Sequence, residues 1–317
     1  MSEPLYPSYL NLLASGELQR RADAAWEVLA NCTICPQNCG VNRLAGKKAV
    51  CRSTTECIVG SWNVHRREEP PISGTRGAGT IFFGYCQARC TYCQNYWLSQ
   101  DGHGQHVTPT QLARMMLLLQ KRGVHNLDLV TPTHYVPQIL KGLVIAAEQG
   151  LHIPLVYNCA GYENLATLQL LDGIVDIYLP DAKYADNKHA LRTSKMPHYV
   201  ESNRTTLKEM YRQVGPLTLD DEGIGRRGLL IRHLVMPNGI AGTREVLQWI
   251  ADELGPDTPV SVMDQYFPAY KALNDPTLNR RLSWSEYREA VDAMESTGLT
   301  DGFLQEDLME LDLSDAV

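Results

Sequence analysis

Nine cysteines are the residues of this 317-residue chain whose type and spacing most clearly suggest chemistry. Three of them, Cys86, Cys90 and Cys93, lie within a stretch of eight residues. Thiolates at such short spacing bind iron–sulfur clusters, in which each sulfur bonds a different iron. A [4Fe–4S] cluster has four irons, so a loop of three cysteines leaves one iron open to a substrate or cofactor. Zinc, the alternative, requires a fourth ligand close by. The loop therefore predicts a [4Fe–4S] cluster that takes part in a reaction.

A second group of cysteines precedes this loop and offers a complete set of four ligands. Its members are Cys32, Cys35, Cys39 and Cys51, with Cys57 as a reserve ligand. Four thiolates hold either a structural zinc ion or an auxiliary iron–sulfur cluster, and the spacing does not distinguish the two. Basic side chains in the same stretch would offset the charge of the thiolates; they are Arg43, Lys47, Lys48 and Arg52. We therefore expect a second metal site here, holding zinc or iron–sulfur.

The chain after residue 80 alternates between apolar strands and amphipathic helices. Strands are predicted over 80–85, 126–133, 153–158, 175–184, 227–237 and 258–266. Helices are predicted over 108–123, 136–150, 163–173, 186–214, 243–255 and 284–298, with a further one over 17–30. Such alternation predicts parallel pairing with right-handed crossovers. Six strand–helix units are too few for an eight-stranded barrel, so the pattern predicts an α/β fold with a partial (β/α)6 barrel.

Polar residues cluster where the predicted strands end, which is where β/α barrels carry their sites. They include Thr133, His134, Asn158, Cys159, Asp181, Lys183 and Arg232. The thiol of Cys159 is expected to face the site, where it could donate a hydrogen atom; the alternative is a small buried apolar residue.

Composition and charge exclude several classes of protein. The formal net charge is −7, which argues against a general nucleic-acid binder. No apolar run reaches the roughly 18 residues of a membrane span, and no secretory leader is evident, so a cytoplasmic location is expected. The charged run 65–69 is expected to be solvated.

The cysteine loop also carries a family resemblance. CxxxCxxC with Tyr92 before the last cysteine, placed after the first barrel strand, resembles the cluster loop of radical S-adenosylmethionine (SAM) enzymes. The segments TPTHY, YNCAGYE, LPDAKY and LIRHLVMPN resemble the branch related to pyruvate formate-lyase activating enzymes. The resemblance spans about residues 32 to 270 and is strongest between Cys86 and Asn95.

The resemblance implies an oxidoreductase that reductively cleaves SAM at a [4Fe–4S] cluster, giving a 5′-deoxyadenosyl radical that abstracts hydrogen from a substrate. Residues implied to contact SAM are Tyr92, Thr133, His134, Asn158, Asp181, Lys183 and Arg232. The implied partners are an external electron donor, such as flavodoxin or ferredoxin, and a glycyl radical enzyme as protein substrate. Two alternatives stay open: radical modification of a small molecule or peptide, and a non-catalytic iron–sulfur protein of electron transfer.

The expected organisation has three parts. Residues 1–75 form an N-terminal helix and the cysteine-rich metal-binding segment, 76–270 form the barrel core, and 271–317 form a C-terminal extension.

Overall fold

The computed structural model describes residues 5–299 and 301–304. The strands of this part are β1 (Cys57–His65), β2 (Ala78–Phe83), β3 (Gln105–Val107), β4 (Leu127–Val130), β5 (Leu155–Cys159), β6 (Ile177–Pro180), β7 (Thr218–Leu219), β8 (Gly225–Leu229), β9 (Ile231–Leu234), β10 (Val260–Met263) and β11 (Gly302–Leu304). The α-helices are α1 (Tyr9–Ala14), α2 (Glu17–Glu27), α3 (Pro70–Ser73), α4 (Tyr96–Ser99), α5 (Pro109–Lys121), α6 (Val136–Glu148), α7 (Leu165–Leu171), α8 (Asn187–Ser194), α9 (Tyr199–Val214), α10 (Thr243–Leu254) and α11 (Trp284–Thr297). Short 3-10 helices cover Val28–Asn31, Thr133–Tyr135, Pro237–Gly239 and Tyr270–Asn274.

A parallel sheet forms the centre of the fold, as the alternation of strands and helices predicts. β2, β4, β5, β6 and β8 are parallel neighbours in that order, and β9, β10 and β11 continue in parallel. β9 lies beside the end of β6, where Asp181 bridges to Arg232. The six predicted strands are therefore confirmed, with the fifth divided between β8 and β9.

The sheet is curved into a partial barrel. The eight-stranded sheet has the order β3-β1-β2-β4-β5-β6-β8-β7, with the antiparallel strands β3 and β1 at one edge and β7 at the other. β11 is an edge of a three-stranded sheet of order β11-β10-β9, which joins the first sheet where β9 meets the end of β6. Residues after β1 and residues of β11 line one cavity, so the β1 side of the first sheet faces β11 of the second. This curvature separates an inner face from an outer face that packs against the helices.

β1 and β3 are additions that the sequence did not predict. β1 lacks strict alternation of buried and exposed residues, and β3 has only three residues. Short or irregular edge strands carry little periodic signal.

The helices cover the outer face of the sheet and form the main core. α5 begins after Thr108, whose hydroxyl and Gln111 form a reciprocal cap. The single helix expected over 186–214 is two, because Lys195 and His198 adopt left-handed backbone conformations between α8 and α9. Among the described residues, no helix is both long and apolar enough to cross a membrane.

Candidate cluster loop and barrel-mouth site

The three-cysteine loop leaves the carboxyl end of β2 through a tight turn. Tyr85 adopts a left-handed conformation (φ 61°) at this point. The loop is then fixed to the end of α8, because the Arg89 N–H donates to the Ser194 carbonyl at 2.8 Å. The Thr91 N–H donates to the Thr193 carbonyl at 2.7 Å. An irregular loop is thus held in place by backbone hydrogen bonds to a regular helix.

Each sulfur of the loop has a polar neighbour. The Ala88 N–H donates to Cys86 Sγ at 3.3 Å, while Cys90 and Cys93 lie 3.1 and 3.0 Å from the hydroxyls of Ser194 and Ser99. All three cysteines are free. Three soft sulfur ligands in polar surroundings are a donor set that suits an iron–sulfur cluster. The residues present therefore fit the cluster that the sequence predicts.

The thiols of the loop interact with each other and with one lysine. Burial raises the pKa of the Cys86 and Cys90 thiols, and their mutual repulsion with Cys93 adds to the rise. The ammonium of Lys183 acts in the opposite direction on both. A positive charge is thus provided close to the predicted cluster ligands.

The part of the chain that the structure describes has no set of side chains arranged around a single metal ion. No group of three or more His, Cys, Asp or Glu side chains there is placed to hold one metal ion. The side chains of residues 5–299 and 301–304 are therefore not already arranged around a single ion. This finding does not test a cluster, since a cluster bonds each thiolate to a different iron and the sulfurs need not converge on one point.

Tyr92 lies in a small apolar cluster beside the loop. Its side chain is buried, and its hydroxyl lies 2.6 Å from that of Tyr184, which in turn lies 2.6 Å from Ser194 Oγ. The ring of Tyr92 packs against Tyr266. These contacts fix the backbone at Tyr92; its predicted contact with SAM stays a prediction.

Thr133 and His134 both bind the cysteine loop. Thr133 Oγ1 accepts a hydrogen bond from the Gln87 amide at 2.9 Å and donates to Glu163 at 2.8 Å. His134 Nε2 donates to the Gly84 carbonyl at 2.8 Å, because a carbonyl can only accept. Burial lowers the pKa of His134 to about 3, so the ring is neutral. Both side chains therefore position the loop, and their predicted contact with SAM remains to be tested.

Cys159 lies on the other face of the sheet from the predicted site. Side chains alternate along a strand, so Asn158 points into the barrel while Cys159 joins the core beneath the helices. Burial raises the pKa of the Cys159 thiol well above its ordinary value, and the nearby Glu163 raises it further. We expected this thiol to face the site together with Asn158; it lies instead beside Glu163, and its role as a hydrogen-atom donor stays a prediction.

Glu163 is a buried carboxyl that the sequence did not single out. It accepts hydrogen bonds from Thr133 at 2.8 Å and from the Tyr157 hydroxyl at 3.0 Å. Burial raises its pKa to about 8, against the hydrogen bonds that favour the ionised form. Through Thr133 and Gln87, this carboxyl is connected to the cysteine loop.

A charged network occupies the inside of the barrel mouth. Asp181 is paired with the Lys183 ammonium and lies 3.4 Å from Arg232 Nε. Arg232 also donates to Asn158 Oδ1 at 2.5 Å. Burial alone would raise the pKa of Asp181, but the two cations lower it. Four of the residues predicted to contact SAM are thus brought together.

Three further carboxyl groups extend this network. Arg232 lies 3.5 Å from Glu68, and burial raises the pKa of Glu68 and of Asp128. One oxygen of Asp128 and one of Glu69 are buried without a hydrogen-bond partner. The expectation that the run 65–69 is solvated is therefore wrong for Glu68, because the chain turns this residue toward Arg232.

A cavity of about 680 Å³ opens beside the network. It lies between the chain after β1 and β11 and is lined by His65, Arg67, Glu68, Glu69, Pro70, Arg232, Ser261, Met263, Gln265, Gly302, Phe303 and Leu304. Gln265 connects it to the cysteine loop, because its carbonyl accepts from the Gln94 amide at 2.8 Å. The cavity has the size of a small-molecule site.

The N-terminal cysteines lie close together but not around one point. Burial raises the pKa of Cys35 well above its ordinary value, and Cys51, Cys39 and Cys32 each raise it further. Cys57 lies apart from them, within the apolar core at the start of β1. The four predicted ligands therefore form one group, and the metal they would bind stays a prediction.

The sequence missed Glu163, Asp128, Glu68 and Glu69 for different reasons. Glu163 is the last residue of the motif segment YNCAGYE, so its position in the site could have been suspected. Asp128 lies inside an otherwise apolar strand, which is a usable signal, because buried charges are rare unless paired. Nothing in the sequence indicates that Glu68 and Glu69 turn inward.

Comparisons with known proteins give one relative at the level of sequence. The protein named "Uncharacterized protein MJ0674" of Methanocaldococcus jannaschii is 31% identical over 293 residues, covering 89% of this chain and 79% of that protein. A scan against models of known protein families finds no match.

Solved structures give more distant likenesses. Methylornithine synthase (PylB) has a TM-score of 0.46 and 13% identity, covering 95% of this chain and 82% of PylB. Streptococcus suis SuiB has a TM-score of 0.47 and 12% identity, covering 70% of this chain and 47% of SuiB, so the chain spans less than half of that structure. Likenesses of this strength carry no argument about function.

Proposed function

We propose a radical SAM reaction for this chain, which belongs to the same protein family as the uncharacterized protein MJ0674. The name of that relative states no activity, so the proposal is based on the site. The observation that carries it is the set of three free thiols at the carboxyl end of the first parallel strand. Three ligands suit a [4Fe–4S] cluster with an open iron.

The cluster would be held by Cys86, Cys90 and Cys93, and when bound with SAM it supplies a 5′-deoxyadenosyl radical by reductive cleavage. Lys183 lies where its charge favours the thiolate form of the cysteines. Lys183 and Arg232 are cations suited to the carboxylate of an amino acid such as the methionine part of SAM. Asp181 and Asn158 orient these cations through their hydrogen bonds.

Water exclusion supports the same proposal. Asp181 and Asn158 are buried, and Lys183 and Arg232 are largely so. A reactive radical must meet one bond of its substrate, which requires positioning and a dry site from the protein.

The test is the production of 5′-deoxyadenosine under anaerobic conditions with SAM and dithionite. The triple variant Cys86→Ala, Cys90→Ala, Cys93→Ala should form none, while the wild type should form it. Cys57→Ala is the matched control, since Cys57 is a buried cysteine outside the loop, and it should behave as wild type. Reductive cleavage of SAM by the triple variant would contradict the proposal, and a chain that never cleaves SAM would favour a non-catalytic electron-transfer protein.

The substrate in this proposal is a glycyl radical enzyme, with the chain as its activating protein and a flavodoxin or ferredoxin as electron donor. This part is supported by the motif segments near the strand ends. A second candidate, modification of a small molecule or peptide, is favoured by the cavity of about 680 Å³ beside Arg232. Adding the dialysable or the non-dialysable fraction of a cell extract to the assay distinguishes these two kinds of substrate. If the substrate is a protein, only the non-dialysable fraction should stimulate 5′-deoxyadenosine formation.

A further inference from the structure

The first three N-terminal cysteines lie in one closed loop. The Cys32 N–H donates to the Val41 carbonyl at 3.1 Å, and the Gly40 N–H donates back to the Cys32 carbonyl at 3.0 Å. The Asn38 N–H donates to the Cys35 carbonyl at 3.0 Å. These bonds bring Cys39 back beside Cys32. The backbone therefore gathers the thiols before any metal is considered.

Arg43 is buried next to this loop without an acidic partner. Its side chain is 1% exposed, and none of the ion pairs among residues 5–299 and 301–304 involves it. Its guanidinium donates to the carbonyls of His134 and Thr54, each at 2.8 Å, and lies 3.8 Å from Cys32 Sγ. Its Nε has no hydrogen-bond partner.

A buried guanidinium without a counter-charge is strongly unfavourable. Neutral thiols would not compensate it. Four thiolates bound to a metal centre leave that centre negatively charged, and Arg43 lies against the first of them, Cys32. The buried cation therefore indicates an anionic centre at the cysteine group.

The arrangement of the thiols favours a cluster over a single ion. A zinc ion needs four ligand sulfurs at about 2.3 Å from a single point. In the described part of the chain, neither this group nor the Cys86 loop has such an arrangement. Ligands of an iron–sulfur cluster are separated, because each bonds its own iron.

We propose that Cys32, Cys35, Cys39 and Cys51 hold a second iron–sulfur cluster, with Arg43 as its buried counter-charge. This centre lies directly against the first cysteine loop, because the Gln37 amide donates to the Gln87 carbonyl at 3.1 Å. Gln37 lies between Cys35 and Cys39, and Gln87 follows Cys86. The proposal does not depend on the reaction proposed above.

The test uses the full chain with the first loop disabled. The variant Cys86→Ala, Cys90→Ala, Cys93→Ala is purified anaerobically from medium that supplies both iron and zinc. We expect iron and acid-labile sulfide in equal amounts, an absorption band that dithionite bleaches, and little zinc. Adding Cys35→Ser should abolish the iron and sulfide, whereas adding Cys57→Ala should not.

Arg43 is tested in the same background. Arg43→Met should shift the reduction potential of the remaining cluster to a more negative value, because a positive charge beside it favours the reduced form. Arg43→Lys should retain most of the wild-type potential. If Arg43→Met fails to fold, the metal content of the Cys35→Ser and Cys57→Ala pair still decides the question.

Two results would overturn the proposal: one zinc per chain with no sulfide, or four free thiols that react with a thiol reagent in the native chain. Neither result bears on SAM cleavage by the intact first loop, so the two proposals fail separately.

Discussion

At the scale of single residues, Lys183 is the side chain on which binding of SAM most depends in the proposed site. Its ammonium is paired with Asp181 and lies near the cysteine loop. Lys183→Ala should weaken SAM binding by roughly tenfold or more, since a hydrogen bond to a charged group contributes about 1.5–3 kcal/mol. Calorimetric titration of the cluster-loaded chain measures this. Lys188→Ala, an exposed lysine on α8, is the control, and equal affinities in the two variants would refute a role for Lys183 in binding.

Glu163 is one of the buried residues whose protonation makes stability depend on pH. Its pKa is raised by burial to about 8 in the folded chain, from an ordinary value of 4.5. Between these values the folded chain keeps a proton that the unfolded chain has lost, so the free energy of unfolding falls as pH rises through this range. Glu163→Gln stays neutral and should remove the part of the fall that Glu163 causes, making the variant more stable than wild type above pH 8 by on the order of a few kcal/mol.

Urea unfolding at a series of pH values measures this difference. Glu222→Gln is the matched control, because Glu222 is exposed, and it should follow the wild-type curve. Parallel curves for wild type and Glu163→Gln would show that the carboxyl titrates normally.

At the scale of elements, the sequence predicts most of what positions the site. The six parallel strands are predictable because each is apolar and each is followed by an amphipathic helix of ordinary length. β1 was not predicted, since its residues follow directly on the cysteine-rich stretch and it pairs with β2 and β3 far along the chain. Long-range pairing of an irregular strand leaves no periodic trace in the sequence.

The direction of individual side chains was harder to predict than the elements that carry them. Asn158 and Cys159 are neighbours at the end of β5, yet they serve opposite faces of the sheet. The alternation of side chains along a strand predicts that Asn158 and Cys159 lie on opposite faces of the sheet. It does not predict which of these two side chains points into the barrel. That choice is made by packing, because Asn158 meets Arg232 inside while Cys159 joins the core under the helices.

Buried charge is the other feature that local patterns do not reveal. Arg43 belongs to a basic stretch with Lys47, Lys48 and Arg52, and only Arg43 is buried among the four. Its burial follows from contacts with Thr54 and His134, the latter 91 residues away in the chain. A charge that is buried by contacts with distant elements looks the same in sequence as one that is solvated.

At the scale of the whole molecule, the fold brings the first parallel strand, β2, and the last described strand, β11, together. Phe303 of β11 packs against an inner apolar cluster. This cluster includes Ile72 of α3 and Ala78 of β2, which is the first parallel strand. The cavity lies in the same region and is lined both by the end of β1 and by β11. Closure of the partial barrel therefore depends on contacts between elements more than 200 residues apart.

Phe303→Ala should weaken this closure and destabilise the chain by about 2 kcal/mol, less than a fully buried phenylalanine would because Phe303 is only partly buried. Leu304→Ala is the matched control, since Leu304 is the next residue on the same strand and is 39% exposed. Its effect should stay within about 0.5 kcal/mol, as is usual for surface positions. Urea unfolding of the two variants provides the measurement, and it also reports whether the loss is global, because a change confined to β11 would leave the main transition unmoved. Equal midpoints for Phe303→Ala and Leu304→Ala would show that the sheet keeps its curvature without this contact, and that the helices on the outer face are sufficient to hold it.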